Sequence, residues 1–314
     1  MIVSVVIAVF NREDLIEQCV RSVLDQTFKE NYEIIVVDDA STDKTPQLLS
    51  KILDPKLTVL RNEKNRGPSY SRNRAVGQSK GEYIVFLDAD CIAGREWAQE
   101  IIKPFELDSR IVIVSGKIID PPPKTYWEIV NEGINFIASS DGYTKDAYTC
   151  NMAVRSDYMQ KNLFDETLPF SEDIDFSLRC LRNNYKIYYT SRATLVHFHR
   201  STFRRTIRSY FNWGTYNTLV RLRWNDFPFL NYGTFLLLGT LFSLLLGLGK
   251  IAGAIFLFYL VSLLCLGVRP GGKSLLNLII SYPAGVVVSL VLSAGNLWGV
   301  ILFVRTRFSG HSRI

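Results

Sequence analysis

The sequence predicts an α/β fold: a mostly parallel sheet with helices on both faces, followed by amphipathic and transmembrane α-helices. Three observations predict it. Apolar, β-branched runs alternate with helix-period segments over the first half of the chain, the order that builds a parallel sheet covered by helices. Two of those runs end in acidic pairs, Glu33-Ile-Ile-Val-Val37 in Asp38-Asp39 and Tyr83-Ile-Val-Phe-Leu87 in Asp88-Ala89-Asp90. The last third holds three uncharged runs, residues 227–249, 251–268 and 274–304, of 23, 18 and 31 residues, where a membrane span needs roughly 20.

The elements follow in order. Residues 2–10 read as a strand of Val and Ile, and residues 12–26 carry helical spacing at Leu15, Cys19, Val23 and Gln26. Residues 33–37 are the second strand. Ser41, Thr42 and Asp43 can cap a helix running through Leu48, Leu49 and Ile52. Residues 57–62 form a third strand, 69–78 a helix after Gly67-Pro68, and 83–87 a fourth strand. A helix over 97–105 and a buried strand over 111–118 complete the alternation. Pro121, Pro122 and Pro123 mark a break. Residues 126–138 are expected to be helical, 139–145 a polar loop, and 148–155 a return towards the strand tips. A helix over 174–183 precedes two short strands, 186–189 and 194–199. Residues 203–223 combine Phe203, Ile207, Tyr210 and Phe211 with Arg204, Arg205 and Arg208, which fits an amphipathic helix at a membrane interface.

Composition divides the chain. It has 314 residues, 47% of them hydrophobic, with a net charge of +6. Residues 200–314 hold twelve Lys and Arg against Asp226 alone, a net +11, so residues 1–199 carry −5. A basic segment beside apolar runs points to anionic lipid rather than to nucleic acid. The expected organisation is a catalytic domain over 1–200, amphipathic interfacial helices over 201–226 and a transmembrane region of about three spans over 227–314. Pro283-Ala-Gly285 is expected to interrupt the last run. The start has no basic segment of the signal-peptide kind, so the catalytic part is expected at the cytoplasmic face of the cell membrane. The five cysteines are scattered, without a CxxC spacing, and read as reduced thiols.

Carboxylates at strand C-termini of an α/β sheet converge on the crevice where such folds bind ligands. An Asp-x-Asp there suits a hard divalent cation carrying a diphosphate. A further cluster, Ser171-Glu172-Asp173-Ile174-Asp175, offers a separate carboxylate as general base. Asp38 and Asp39 can cap the next helix or bind a base or ribose. Arg72 can neutralise a diphosphate or remain a solvated charge. His197 and His199 alternate and so share a strand face, either as a metal ligand or as a hydrogen-bonding pair.

Together these pieces resemble family 2 glycosyltransferases of the GT-A fold. The match runs through Val3-Ser-Val-Val-Ile-Ala-Val-Phe-Asn11, Val37-Asp-Asp-Ala-Ser-Thr-Asp43, Gly67-x-x-x-Ser-Arg-Asn73, Gly81-Glu-Tyr-Ile-Val-Phe-Leu-Asp-Ala-Asp90, Asn151-Met-Ala-Val-Arg155, Glu172-Asp173 and the strand ending at His197. The resemblance implies an inverting, metal-dependent transfer from a nucleotide-sugar. It implies that Asp39 contacts the nucleobase beside the backbone of Ala8 and Phe10, with Asp38 in the same motif. Arg72 and Asn73 would lie by the nucleotide, and Asp88 and Ala89 by the ribose. Asp90 would hold Mg²⁺ or Mn²⁺, with His197 as a further ligand, and Asn151 would line the sugar pocket. Asp173 would be the base, supported by Glu172 and Asp175. The Gln-x-x-Arg-Trp motif of polymerising members is missing, since Val220 precedes Arg223-Trp224 at the Gln position. That favours one or a few additions onto a lipid-linked or glycan acceptor. The competing readings are a membrane-anchored nucleotidyltransferase, which would open with a Gly-rich phosphate loop, and a catalytically inactive scaffold.

Overall fold

The computed structural model describes residues 2–28, 31–131, 140–198, 202–226, 232–257 and 275–308. The chain divides into two compact units. One comprises Met1–Pro121 and Ile137–Phe198, the other Pro122–Phe136 and His199–Ile314.

The first unit is built on a nine-stranded sheet. Its elements are β1 (Ile2–Val9), α1 (Ile16–Leu24), β2 (Asn31–Asp38), α2 (Thr45–Ser50), β3 (Leu57–Arg61), α3 (Pro68–Val76), β4 (Tyr83–Asp88), β5 (Cys91–Ala93) and α4 (Trp97–Ile102), the last continued by a 3₁₀ turn. β6 (Ile111–Ile119) follows. After the second unit's α5 (Tyr126–Asn131) come β7 (Gly142–Thr144), β8 (Asn151–Arg155), α6 (Ser156–Met159), α7 (Glu172–Arg182) and β9 (Lys186–His197). The strand order is β3-β2-β1-β4-β8-β6-β9-β5, with β7 also on β9. β3, β2, β1 and β4 are all parallel. Beyond β4 the sheet is mixed: β8 runs antiparallel to both β4 and β6, and β6 runs parallel to β9.

Side-chain alternation explains why both faces are covered. Val3, Val5, Ile7 and Val9 join Cys19, Val20 and Val23 of α1 and Trp97 and Ile101 of α4 in one core layer. Val6, Ile35, Ile84 and Phe86 join Ala75 and Val76 of α3 and Phe176 and Cys180 of α7 in the other. A strand buried on both faces has no polar register, so it reads as a continuous apolar run.

Two expectations about the strands change. Residues 186–189 and 194–199 are not two short strands. β9 is continuous to His197, and its register against β6 shifts between Gly116 and Lys117, so the residues between Thr190 and Thr194 bulge out. The expected loop 139–145 contains β7, a three-residue edge strand paired with β9. The end of the expected helix 126–138, the second histidine at 199 and much of the run 251–268 lie outside the described residues.

The second unit is helical. It contains α5, α8 (Phe203–Arg223), α9 (Tyr232–Leu245), helical residues 249–257, and α10 (Leu275–Phe308), a helix of 34 residues that continues through Pro283-Ala-Gly285 rather than breaking there. Neighbouring helices and local adjustment let apolar helices carry such a proline. α8 is one helix, and its Gly214, Thr215 and Thr218 are buried. A Cβ added at Gly214, Gly295 or Gly299 would collide with backbone of the facing helix, so α8 and α10 approach closely through small residues. Thr218 Oγ1 donates to Asn296 Oδ1 across this contact at 3.2 Å. Trp127 of α5 packs against Phe203, with ring centroids 5.2 Å apart. Among the described residues one helical stretch, Val287–Arg307, is long and apolar enough to cross a membrane. α9 has 14 described residues and ends before Gly247, which sits at φ +71°.

Candidate active site

The C-terminal ends of β1, β2 and β4 open on one crevice of the first unit. The backbone around them is contorted. Asn11, Ala40 and Ser171 take positive φ of 52°, 60° and 62° without being glycine. Each lies within one residue of a charged group at the crevice, respectively Arg12, Asp39 and Glu172. Such conformations persist where the surrounding structure fixes them, and they gather at functional sites.

Asp39 is buried. Its Oδ1 accepts from Asn62 Nδ2 at 2.7 Å and from Arg66 N at 2.9 Å, and its Oδ2 accepts from Gly67 N at 2.8 Å. The carboxylate thereby folds the loop that starts α3, where Gly67 at φ +88° supplies a turn other residues rarely adopt. Asp38 faces elsewhere. It accepts from Ser41 N at 3.0 Å and pairs with Arg61, and so braces the turn after β2. Ala8 stands opposite Asp88 in the β1–β4 register, and Phe10 is exposed just beyond the tip of β1.

Arg72, on α3, bridges two carboxylates: Nη2 donates to Asp88 Oδ1 at 2.8 Å and Nη1 to Glu172 Oε1 at 2.6 Å. Burial works against its charge, but Asp88 and Glu172 outweigh that and raise its pKa. The adjacent Asn73 turns away. It brackets residues 164–166, donating to Phe164 O at 2.9 Å and accepting from Phe164 N at 3.0 Å. Asn151 is fully buried beneath the crevice. Its Oδ1 accepts from Trp97 Nε1 at 2.8 Å, and its Nδ2 donates to Lys117 O at 2.9 Å and Ala193 O at 3.1 Å. A Cβ on Gly116 would collide with this amide. Asn73 and Asn151, both expected at the donor, hold strands and loops together through these bonds.

Asp90 follows the buried Ala89. The β5–β9 register sets Cys91 opposite His197, and Phe198 N donates to Asp90 O at 2.9 Å, which fixes the strand end. His197 Nε2 lies 3.3 Å from Asp90 Oδ1, and Arg12 Nη2 ion-pairs with Asp90 Oδ2. Burial alone would raise the Asp90 carboxyl, but the His197 and Arg12 cations hold it well below the usual range. Burial would lower His197, and its hydrogen bond to Asp90 overcomes this and pushes it up to about 9. Asp90, Cys91 and His197 offer donor atoms within 4.8 Å of one another. A carboxylate suits Mg²⁺ or Mn²⁺, and the imidazole can join it as a ligand once it gives up its proton.

Asp173, in the first turn of α7, is half-buried and accepts from Ile174 N at 2.8 Å. Burial first, and the neighbouring Glu172 charge second, push its carboxyl up from 3.8 to about 8. Asp175 points along the helix to Arg179 at 2.8 Å.

Arg12 is the residue sequence reasoning missed. Its signal was a single arginine directly after the tip of β1, which topology places against the second Asp of the Asp-x-Asp. The described cysteines, Cys19, Cys91, Cys150 and Cys180, are buried free thiols.

Comparison with known proteins gives a consistent picture. The model of glycosyl transferase family 2 matches residues 4–163. The chain is 32% identical over 192 residues, 59% of its length and 66% of the relative's, to an uncharacterized glycosyltransferase of Methanocaldococcus jannaschii. It is 44% identical over 89 residues to the UDP-Glc:alpha-D-GlcNAc-diphosphoundecaprenol beta-1,3-glucosyltransferase of Escherichia coli, covering 28% of this chain and 35% of that protein. It thus spans less than two thirds of the length of these relatives. Among solved structures, the mannosyltransferase of Pyrobaculum calidifontis in complex with GDP-Man and Mn²⁺ superposes with a TM-score of 0.64 at 18% identity, over 95% of this chain and 86% of that one. At that identity the likeness speaks to fold.

Proposed function

The chain belongs to glycosyl transferase family 2, with the GT-A fold, and from that premise we propose that it moves a sugar, with inversion, from a nucleotide-sugar to a membrane-associated acceptor. The observation that carries this reading is the convergence of Asp39, Arg72, Asp88, Asp90, Glu172 and Asp173 on one crevice, with the sole strongly raised carboxyl among them at Asp173.

In this proposal Asp39, with the backbone of Ala8 and Phe10, receives the base, and Asp88 the ribose. Arg72 holds Asp88 in place and adds positive charge beside the diphosphate. Asp90 and His197 hold Mg²⁺ or Mn²⁺, as the Mn²⁺ in the Pyrobaculum calidifontis neighbour suggests. Such a cation would stabilise the charge of the departing nucleoside diphosphate. Asp173 takes the proton from the acceptor hydroxyl. The hydroxyl oxygen then forms the new bond to the anomeric carbon as the bond to the diphosphate breaks on the opposite side. A carboxyl near 8 is matched to this task, because a base works best with a pKa close to the working pH. Glu172, held by Arg72, sustains the electrostatics that keep Asp173 basic.

The acceptor is proposed to be a polyprenyl-phosphate-linked glycan or a glycolipid. The support is the apolar stretch Val287–Arg307 and the Escherichia coli relative named for a diphosphoundecaprenol substrate. The proposed setting is the cell membrane, with residues 1–200 catalytic at its cytoplasmic face. The test is incubation of pure protein with UDP- and GDP-sugars and Mn²⁺, with and without lipid-linked acceptors. Donor-dependent release of nucleoside diphosphate, increased by the right acceptor, supports the proposal. Inertness towards every donor would assign the chain a scaffold role instead.

A further inference from the structure

We infer that Arg12 is the resident counter-ion of Asp90, and that Arg12 and a divalent cation are alternative partners of that carboxylate, so that Arg12 sets the metal affinity of the nucleotide-free enzyme. The inference rests on the reading of Asp90 as a metal ligand.

Both oxygens of Asp90 are engaged: Oδ2 by Arg12 Nη2 and Oδ1 by His197 Nε2. The same Nη2 of Arg12 also donates to Phe198 O at 3.2 Å. The guanidinium therefore spans the gap between the Asp-x-Asp and the end of β9, the space a cation shared by Asp90 and His197 would need. Arg12 is buried there, and an arginine does not shed its charge. Its backbone is fixed from several sides. Its N–H donates to Thr45 Oγ1 at 2.8 Å, and its carbonyl accepts from Leu15 N and Ile16 N to start α1. The preceding Asn11 is held at φ 52° by its N–H on Ser41 Oγ at 2.9 Å and its Oδ1 on Thr42 N at 2.7 Å.

The arrangement solves an electrostatic problem. Asp39, Asp88, Asp90 and Glu172 would repel one another in a nucleotide-free crevice unless cations balanced them. Arg72 answers for Asp88 and Glu172, and Arg12 with His197 answers for Asp90. A doubly charged ion coming to Asp90 meets a guanidinium already on the oxygen it needs. The two cations repel at short range in a partly desolvated site. Of the two groups on Asp90, His197 is tied into a paired strand, whereas Arg12 hangs on a long stem from a loop, so Arg12 is the one that yields.

The experiment titrates Mn²⁺ alone, followed by the electron paramagnetic resonance of the free ion, into full-length detergent-solubilised wild type, Arg12→Gln and Asp90→Asn. Arg12→Gln is expected to bind Mn²⁺ about tenfold more tightly than wild type, the size of an ordinary coupling between two competing ligands. Asp90→Asn is expected to bind it more weakly. If Asp90→Asn binds like wild type, the metal reading of Asp90 fails. If Asp90→Asn weakens binding but Arg12→Gln gains nothing, this inference alone is overturned. An Arg12→Gln protein no tighter than a wild type that binds no detectable Mn²⁺ overturns it as well. A second measurement needs no variant and tells displacement from charge repulsion across a distance. In ¹⁵N-arginine-labelled wild type, the slowly rotating Nη signal of the salt-bridged Arg12 should collapse on addition of Mg²⁺. Its persistence at Mg²⁺ concentrations that saturate the site overturns the inference.

Discussion

Glu172 accepts a hydrogen bond from Arg72 at 2.6 Å although 100 residues separate them. Through the second arm of Arg72, on Asp88 at 2.8 Å, this bond ties the first turn of α7 to the end of β4. The candidate base and the Asp-x-Asp thus belong to one rigid cluster, and what happens to Arg72 is felt by both.

Arg72→Ala should be strongly destabilising. It removes the buried cation and leaves two carboxylates facing each other, and breaking a buried pair in this way costs about 3–5 kcal/mol. Arg72→Lys keeps the charge but cannot fork to both partners, so its loss should be intermediate. Denaturant unfolding of the three proteins measures this. An Arg72→Ala protein as stable as wild type would show that the clamp contributes nothing.

Asp173→Asn should leave nucleotide binding intact and lower transfer by about 10²–10⁴, the usual cost of losing a general base. In wild type the carboxyl stays protonated below about 8. Transfer per enzyme should therefore rise about tenfold per pH unit below that value and level off above it. Stability runs the other way. The folded protein keeps a proton that the unfolded chain releases at 3.8, so this group costs stability as pH rises from 3.8 towards 8 and the penalty is complete above 8. Asp173→Asn removes that penalty, so its melting temperature relative to wild type should be higher at pH 8.5 than at pH 5. Transfer kinetics and thermal melts across this range check both signs. A pH-independent difference in melting would contradict the raised carboxyl.

The parallel half of the sheet was legible because β1, β2 and β4 are double-sided and β-branched, and their acidic ends mark where they stop. Local pattern failed where a residue's role depends on a distant partner. Arg12 meets Asp90 across 78 residues, and its position after the tip of β1 acquires meaning only once the sheet topology is known. Asn151 sits in a motif that suggests a sugar contact, yet pairing of β8 with β6 encloses its amide among Trp97, Lys117 and Ala193. β7 is too short for any period to emerge, and β9 read as two short strands because a bulge interrupts its alternation. The arginines of α8 suggested a surface helix, and the Gly and Thr face that packs on α10 was hidden among them.

That face makes a further prediction. Gly295→Leu or Gly299→Leu would force α8 and α10 apart, because even a Cβ at either position meets the backbone of Phe211 or Thr215. Overpacking of this kind typically costs about 1–3 kcal/mol. The effect should appear as earlier loss of helicity in the second unit. Gly253→Ala, where a Cβ meets nothing within 4 Å, is the control and should be silent. Equal melting of all three variants would mean that the close approach of the two helices is not required.

The same helix carries the test of whether the chain meets lipid. Val287–Arg307 comprises 21 residues, contains an 18-residue window with a mean hydropathy of 2.1, and ends on Arg305 and Arg307. At about 1.5 Å per residue it reaches roughly 31 Å, the thickness of a bilayer core. Trp298, Ile301 and Val304 on it are exposed, as are Phe242, Leu244 and Leu245 on α9. Clustered apolar exposure of this extent marks a surface made for lipid or for another protein. The arginines 204, 205 and 208 at the start of α8 would each add about 1 kcal/mol at an anionic surface, but charge alone is reversed by salt and alkali. Alkaline carbonate extraction of membranes holding the full chain separates the two modes. Retention in the pellet is expected, because burial of the apolar helix does not depend on charge. Quantitative release would mean that the chain only adheres, and the case for a lipid-linked acceptor would lose its structural support.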